Sequence, residues 1–141
     1  MPRRLGKAVS ARTGIATPDP LIHGDGAGGD YYFSHALSSA EKARASAALV
    51  ALLKAHPQVA AVFTAQELAE TPQPSGSPQD WSLKDRARAS FDPLRSGDVI
   101  ALLARAIVGV PQPGPGYATG HGSPWDYDRR VPILFWRKGL P

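Results

Sequence analysis

Apolar residues recur at helical spacing between Ala40 and Ala55, where Ala47, Val50, Ala51 and Lys54 share one side, Ala45, Leu49, Leu52 and Leu53 extend the stripe, and Glu41, Lys42 and Arg44 can face water. Ser38 and Glu41 precede that stripe as a Ser-x-x-Glu capping box, and Pro57 closes it, so the pattern predicts a helix over 40–55. Shorter apolar runs predict strands at Tyr31–Phe33, Val59–Thr64, Val99 toward Val108, and Val131–Trp136. A brief helical turn fits Ala65–Glu70. A second capping pair, Ser82 with Asp85, starts a helix that runs to about Ser90 and stops before Pro93. The turn Arg95-Ser96-Gly97-Asp98 feeds the third of these strands. Residues Thr71–Asp80 and Gly109–Gly120 read as Pro/Gly-rich loops. The order is strand, helix, strand, helix, strand, loop, strand. It predicts an α/β fold with about four strands in a mixed sheet and two main helices.

Composition narrows the picture. The chain has 141 residues, of which 43% are apolar, enough for one domain with a real core. No apolar run approaches the roughly 20 residues of a membrane-spanning helix. The absence of Cys excludes disulfides, thiolate metal sites and thiol nucleophiles. The net charge of +4 is carried by Arg3, Arg4, Lys7 and Arg12, all ahead of the first acid at Asp19. The remainder is balanced, twelve cations against twelve anions, so no basic patch for nucleic acid is visible on the body of the chain. Residues 1–29, interrupted by Pro18 and Pro20 and then by Gly24, Gly26, Gly28 and Gly29, are expected to be an irregular basic segment ahead of a domain over 30–141. That segment lacks the apolar core of a secretory signal.

Candidate chemistry concentrates in Gly120-His121-Gly122-Ser123-Pro124-Trp125-Asp126-Tyr127-Asp128. Glycines on both sides of His121 remove Cβ crowding, so a metal or substrate can approach the imidazole. Imidazole is a common metal ligand, and Asp126 or Asp128 is close enough in sequence to orient its second nitrogen. The same pattern also fits a plain turn histidine, and spacing alone leaves both readings open. Gly24, Gly26, Gly28 and Gly29 lack the Lys of a phosphate-binding loop. His35 and His56 read as structural, His56 at the carbonyl end of its helix. Ser34 and His35 are adjacent on a strand and point apart, which is no triad. Trp81, Trp125 and Trp136 read as packing residues, and Arg129-Arg130 as a solvated flank to a strand.

The segments RSGDVIALL and YATGHGSPWDYDRRVPILFW resemble the carboxy-terminal part of the alkaline phosphatase superfamily, in particular bacterial alkaline phosphatases similar to type I phosphodiesterases and nucleotide pyrophosphatases. The resemblance covers about residues 30–141. It implies part of an alkaline-phosphatase-like fold and a zinc hydrolase of phosphoric esters, with two zinc ions, a Thr or Ser nucleophile and, for the parent family, a periplasmic location. By position, His121 matches the family's last zinc ligand. The other ligands and the nucleophile belong to a longer amino-terminal portion. No Asp of this chain is followed directly by His, and the Asp19-x-x-x-His23 spacing lies in the wrong context to replace that motif.

Two expectations follow. In the first, the chain is a carboxy-terminal portion of a zinc-dependent phosphatase or phosphodiesterase, with one metal ligand, His121, and no activity alone. Its partners are then the missing amino-terminal portion and a phosphoric-ester substrate, with no role for nucleic acid or membrane. In the second, it is a stand-alone α/β binding module without catalysis. An exposed apolar face where further polypeptide should dock separates the first from the second.

Overall fold

A computed structural model describes residues 1–24, 26, 28–109, 120–130 and 132–139. Its elements are α1 (Pro2–Thr13), β1 (Ile22–His23), β2 (Gly29–Phe33), α2 (Ser39–Lys54), β3 (Val59–Thr64), α3 (Ala65–Glu70), α4 (Leu83–Ser90), β4 (Val99–Leu103) and α5 (Asp126–Arg129). The four strands form one sheet in the order β1-β2-β4-β3.

Side-chain alternation along β4 explains the layering. Val99 and Ala101 point to one face, where they meet Val62, Tyr31 and Phe33 and are covered by Val9 of α1 and by Ala45, Leu49 and Leu53 of α2. Ile100 and Leu102 point to the other face and pack with Phe63, with Leu68 of α3 and with Ala87 of α4. Because β4 is covered on both sides, its sequence, VIALL, is apolar throughout rather than alternating. Ala45, Leu49 and Leu53 stand four apart, so one line down α2 carries that helix's contribution to the core.

Both capping boxes form as their sequences predict. The Ser38 hydroxyl accepts the Glu41 N–H while the Glu41 carboxylate accepts the Ser38 N–H, and Ser82 and Asp85 repeat the arrangement on α4. Hydrogen bonds from the Ser38 hydroxyl and then its backbone N–H hold the Glu41 carboxyl below its ordinary value, and Ser82 does the same for Asp85. A depressed folded-state pKa stabilises above the unfolded value, near pH 4, and that stabilisation fades as pH falls through the folded value. Hydrogen exchange at the Ser38 and Ser82 amides is therefore expected to lose protection on acidification below about pH 4. Protection that stays flat to roughly pH 2 would contradict the caps.

The structure corrects four expectations. Among the described residues all three strand pairings are antiparallel, and none is parallel as a mixed sheet requires. Strand direction follows from how α2 and the α3–α4 segment return the chain to the sheet, which residue type does not reveal. Residues 2–13 are helical rather than irregular: Pro2 occupies the first turn, Gly14 caps the end in a left-handed conformation, and Val9 is buried against the core. The third predicted strand, β4, ends at Leu103, because Ala106 adopts φ 61° in a turn closed by the Ile107 N–H to the Ala104 carbonyl. Among the described residues, 132–136 form no strand, since an apolar run becomes one only where a neighbouring edge accepts its backbone groups. Val131 and the 110–119 interior of the second predicted loop lie outside the described residues.

The Arg95–Asp98 turn fastens β2, β4 and α2 together. The Gly97 N–H donates to Asp30 Oδ1 at 2.5 Å, and the Phe33 N–H donates to Asp98 Oδ2 at 2.8 Å. Asp98 Oδ1 meets Lys42 Nζ at 2.5 Å, and the Tyr32 hydroxyl donates to the Arg95 carbonyl at 2.8 Å. No helix among the described residues is long and apolar enough to cross a membrane.

Candidate functional site

The loop bearing His121 is anchored at its far end. The Trp125 indole N–H donates to the Leu103 carbonyl at 3.0 Å, which ties the loop to the end of β4. Arg86 of α4 donates from Nη1 to the Pro124 carbonyl at 2.9 Å and pairs through Nη2 with Asp126 at 3.2 Å. Tyr127 accepts the Ala106 N–H at 3.0 Å, with the Arg105 guanidinium 5.0 Å from its ring centroid. Arg129 reaches the Pro78 carbonyl at 3.0 Å. The short helix α5 is thus held by β4, α4 and two loops.

That helix in turn fixes the bend at Gly122. Asp128 Oδ2 accepts the Ser123 N–H at 2.5 Å, closing the segment 123–128 on itself. This backbone bond, then the Ser123 hydroxyl, hold the Asp128 carboxyl below its ordinary value, and the nearby His121 adds a smaller effect of the same sign. Gly122 has φ +92°, a conformation that side chains disfavour, so the bend after His121 calls for glycine.

The outcome is an exposed imidazole on the wall of a cavity of about 510 Å³. Gly26, Gly28, Gly29, Leu103 and Tyr127 also line it. The His121 side chain is exposed rather than buried in hydrocarbon, and it makes no hydrogen bond among the described residues. An exposed imidazole can donate a lone pair to a cation or hydrogen-bond a ligand.

The two carboxylates near His121 in sequence take other partners. Asp126 is engaged by Arg86 and Arg129, and Asp128 by Ser123, so neither is hydrogen-bonded to the His121 ring. Among the described residues, no three His, Asp or Glu side chains converge to hold a metal ion. The remaining histidines stand apart: His23 pairs with Tyr32 across β1–β2, His35 is exposed, and His56 accepts the Gln58 N–H beyond the end of α2. Ser34 is buried, and its hydroxyl accepts the Ala36 N–H in a turn. Trp81 donates to the Ser75 carbonyl at 3.1 Å, whereas Trp136 is exposed.

Arg86 is the residue sequence reasoning missed. Its side chain is 12% exposed, its Nε is buried without a hydrogen-bond partner, and it lines a second cavity of about 320 Å³ with Trp81, Phe91 and Arg129. In one dimension it is one basic residue of a polar helix, and nothing there indicates that it reaches Pro124, 38 positions away.

Compared with protein-family models, the chain matches none. Among curated proteins it is 46% identical over 140 residues to alkaline phosphatase PhoK of Sphingomonas sp., covering 99% of this chain and 25% of that protein. It is 45% identical over 135 residues to alkaline phosphatase PhoD of Zymomonas mobilis subsp. mobilis, covering 96% of this chain and 23% of that protein. The chain therefore spans about a quarter of the length of the curated relatives it matches.

Proposed function

We propose that this chain, which is related to alkaline phosphatases, is the carboxy-terminal part of a zinc-dependent phosphoric-ester hydrolase and contributes one metal donor, His121, to a site completed by further polypeptide. The observation that carries the reading is the exposed His121 ring on the cavity wall, beside the Gly122 bend and the Asp128–Ser123 bond.

The residues of this chain do not by themselves fit a zinc site. Catalytic zinc takes three protein donors, and no such group occurs among the described residues. We therefore assign the chain no chemical step of its own. Its part is positional: Trp125, Arg86 and Tyr127 hold α5, α5 holds Asp128, and Asp128 fixes the backbone that presents His121. In a complete site, bound zinc supplies charge neutralisation at the ester oxygens and an activated water. A periplasmic setting for the longer enzyme belongs to the same proposal. The stand-alone module is disfavoured by the large apolar side chains left exposed at Ile133–Trp136.

The test is a chimera in which this chain replaces the matched quarter of the Sphingomonas protein. It is expected to bind zinc and hydrolyse a phosphate ester, while His121→Ala loses bound metal and roughly 100-fold or more of activity, at least the cost of disturbing a ligand's support. The isolated chain is expected to show neither tight zinc binding nor turnover. Stoichiometric zinc with turnover by the chain alone, or an unaffected His121→Ala chimera, would refute the proposal.

A further inference from the structure

The Arg86 guanidinium leaves one donor unspent. Nη1 is used on the Pro124 carbonyl, and Nη2 on Asp126 and, at 3.5 Å, on the Gln79 carbonyl. Nε is buried and has no hydrogen-bond partner among the described residues. A buried donor left open is costly, so this one calls for an acceptor. Arg86 lines the cavity of about 320 Å³ beside α4, and much of that cavity is hydrocarbon, with Leu68, Ile100 and Leu102 in its walls. The Trp81 and Phe91 rings line it too. Trp81 has spent its N–H on the Ser75 carbonyl, so it offers ring surface and no donor. The other charged side chains among the lining residues are Arg129 and Asp30, and Asp30 already accepts the Gly97 N–H.

We propose that this cavity is a binding site for a planar aromatic monocarboxylate, which sets its carboxylate on the Arg86 Nε–H and its ring against Trp81 and Phe91. The inference goes beyond the metal-donor reading and does not rest on it, since neither His121 nor a metal takes part. Size, charge and wall chemistry select the ligand. The volume is at the small end for ligand sites and suits a single substituted ring. Arg86 and Arg129 share one carboxylate, Asp126, at 3.2 and 3.6 Å, and that carboxylate is 45% exposed, so the two guanidiniums carry a cation in excess of their shared anion. A ligand carboxylate matches the guanidinium plane through charge-assisted hydrogen bonds. Asp30 in the lining repels a second negative charge, which favours a monoanion over a phosphate dianion. A water molecule would satisfy Nε but leave the two aromatic rings without a partner. Gly122, Ser123 and Pro124 also line the cavity, so the ligand rests against the loop that bears His121 and braces the guanidinium that holds Pro124.

The experiment titrates the full chain with benzoate in chelator, so that metal plays no part, and follows it by calorimetry and by the nitrogen-15 resonance of the Arg86 Nε–H. That resonance is assigned by its loss in Arg86→Lys. One benzoate per chain is expected, with the Nε–H proton moving downfield as the carboxylate accepts it. Benzamide, neutral but of the same shape, is expected to bind roughly 10-fold or more weakly, the loss of one charge-assisted hydrogen bond, and phenyl phosphate more weakly than benzoate. Because Arg86→Lys also frees Pro124, Trp81→Leu and Arg129→Gln serve as independent variants, each expected to weaken benzoate about 3- to 10-fold. Arg44→Gln, exposed on α2 across the sheet, should leave binding unchanged and so excludes general attraction of anions. The chimera with the Sphingomonas protein is expected to bind benzoate as the chain does. An unmoved Nε–H resonance would leave the donor to water and overturn the site. Equal binding of benzamide, tighter binding of phenyl phosphate, or insensitivity to both Trp81→Leu and Arg129→Gln would overturn the assigned ligand. Loss of binding in the chimera would assign the cavity to the added polypeptide and likewise overturn the proposal.

Discussion

Leu49→Ala is expected to lower the unfolding free energy of the chain by about 2–5 kcal/mol, the range for truncating a fully buried leucine. Leu49 is 0% exposed and lies between Ala45 and Leu53 on the line of α2 that meets the sheet. Its neighbours set where in the range the value falls. Tyr31, Phe33, Val62, Val99 and Ala101 come from three strands hydrogen-bonded to one another, so they cannot close readily on a void. The upper half of the range is therefore expected. Urea unfolding followed by far-ultraviolet circular dichroism checks it, with Leu94→Ala as the reference, since that side chain is 94% exposed and its loss should lie within about 0.5 kcal/mol of zero. A Leu49→Ala value below about 1 kcal/mol would mean that α2 is not seated on the sheet as described.

Leu49 also illustrates what local sequence can reveal. α2 and β3 were legible because each carries its own signals: a reciprocal cap at Ser38 and Glu41, a breaker at Pro57, and an apolar, β-branched run. α1 was not legible, because its polar, cationic sequence hides the single buried line through Val9. The marks it does carry are only Pro2 at one end and Gly14 at the other. β1 is two residues long and exists only through its pairing with β2. Strand direction and the exposure of Ile133–Trp136 depend on which segments meet in three dimensions, and no periodicity encodes them.

The site divides in the same way. Gly120-His121-Gly122 announces an accessible imidazole from adjacent residues alone, and the structure places it on a cavity wall. The scaffold behind it was invisible. Asp126, which sequence proximity offered as a partner for His121, is drawn instead to Arg86 on α4, forty positions back along the chain. A carboxylate goes to the strongest available cation, and in three dimensions that is a guanidinium only 12% exposed.

Gly97→Ala is expected to destabilise by about 3 kcal/mol, the upper end for forcing an extra carbon into filled space. A Cβ built on Gly97 would stand 2.7 Å from the Tyr31 carbonyl oxygen and 2.8 Å from the Tyr31 nitrogen. Both are main-chain atoms of β2, paired to β4 at Tyr31↔Val99, so neither can yield without opening the sheet. Displacement there would also stretch the Gly97 N–H to Asp30 bond and move Asp98 away from the Phe33 N–H and Lys42. Gly76→Ala separates crowding from backbone strain. Gly76 has φ +76° with nothing within 4 Å of a built Cβ, so only the left-handed conformation is penalised there, at about 1 kcal/mol. Equal losses at the two positions in the same urea assay would show that the Arg95–Asp98 turn is not wedged against β2. A larger loss at Gly97 establishes it as the clamp that sets the start of β4, the strand whose far end carries the Trp125 anchor of the His121 loop.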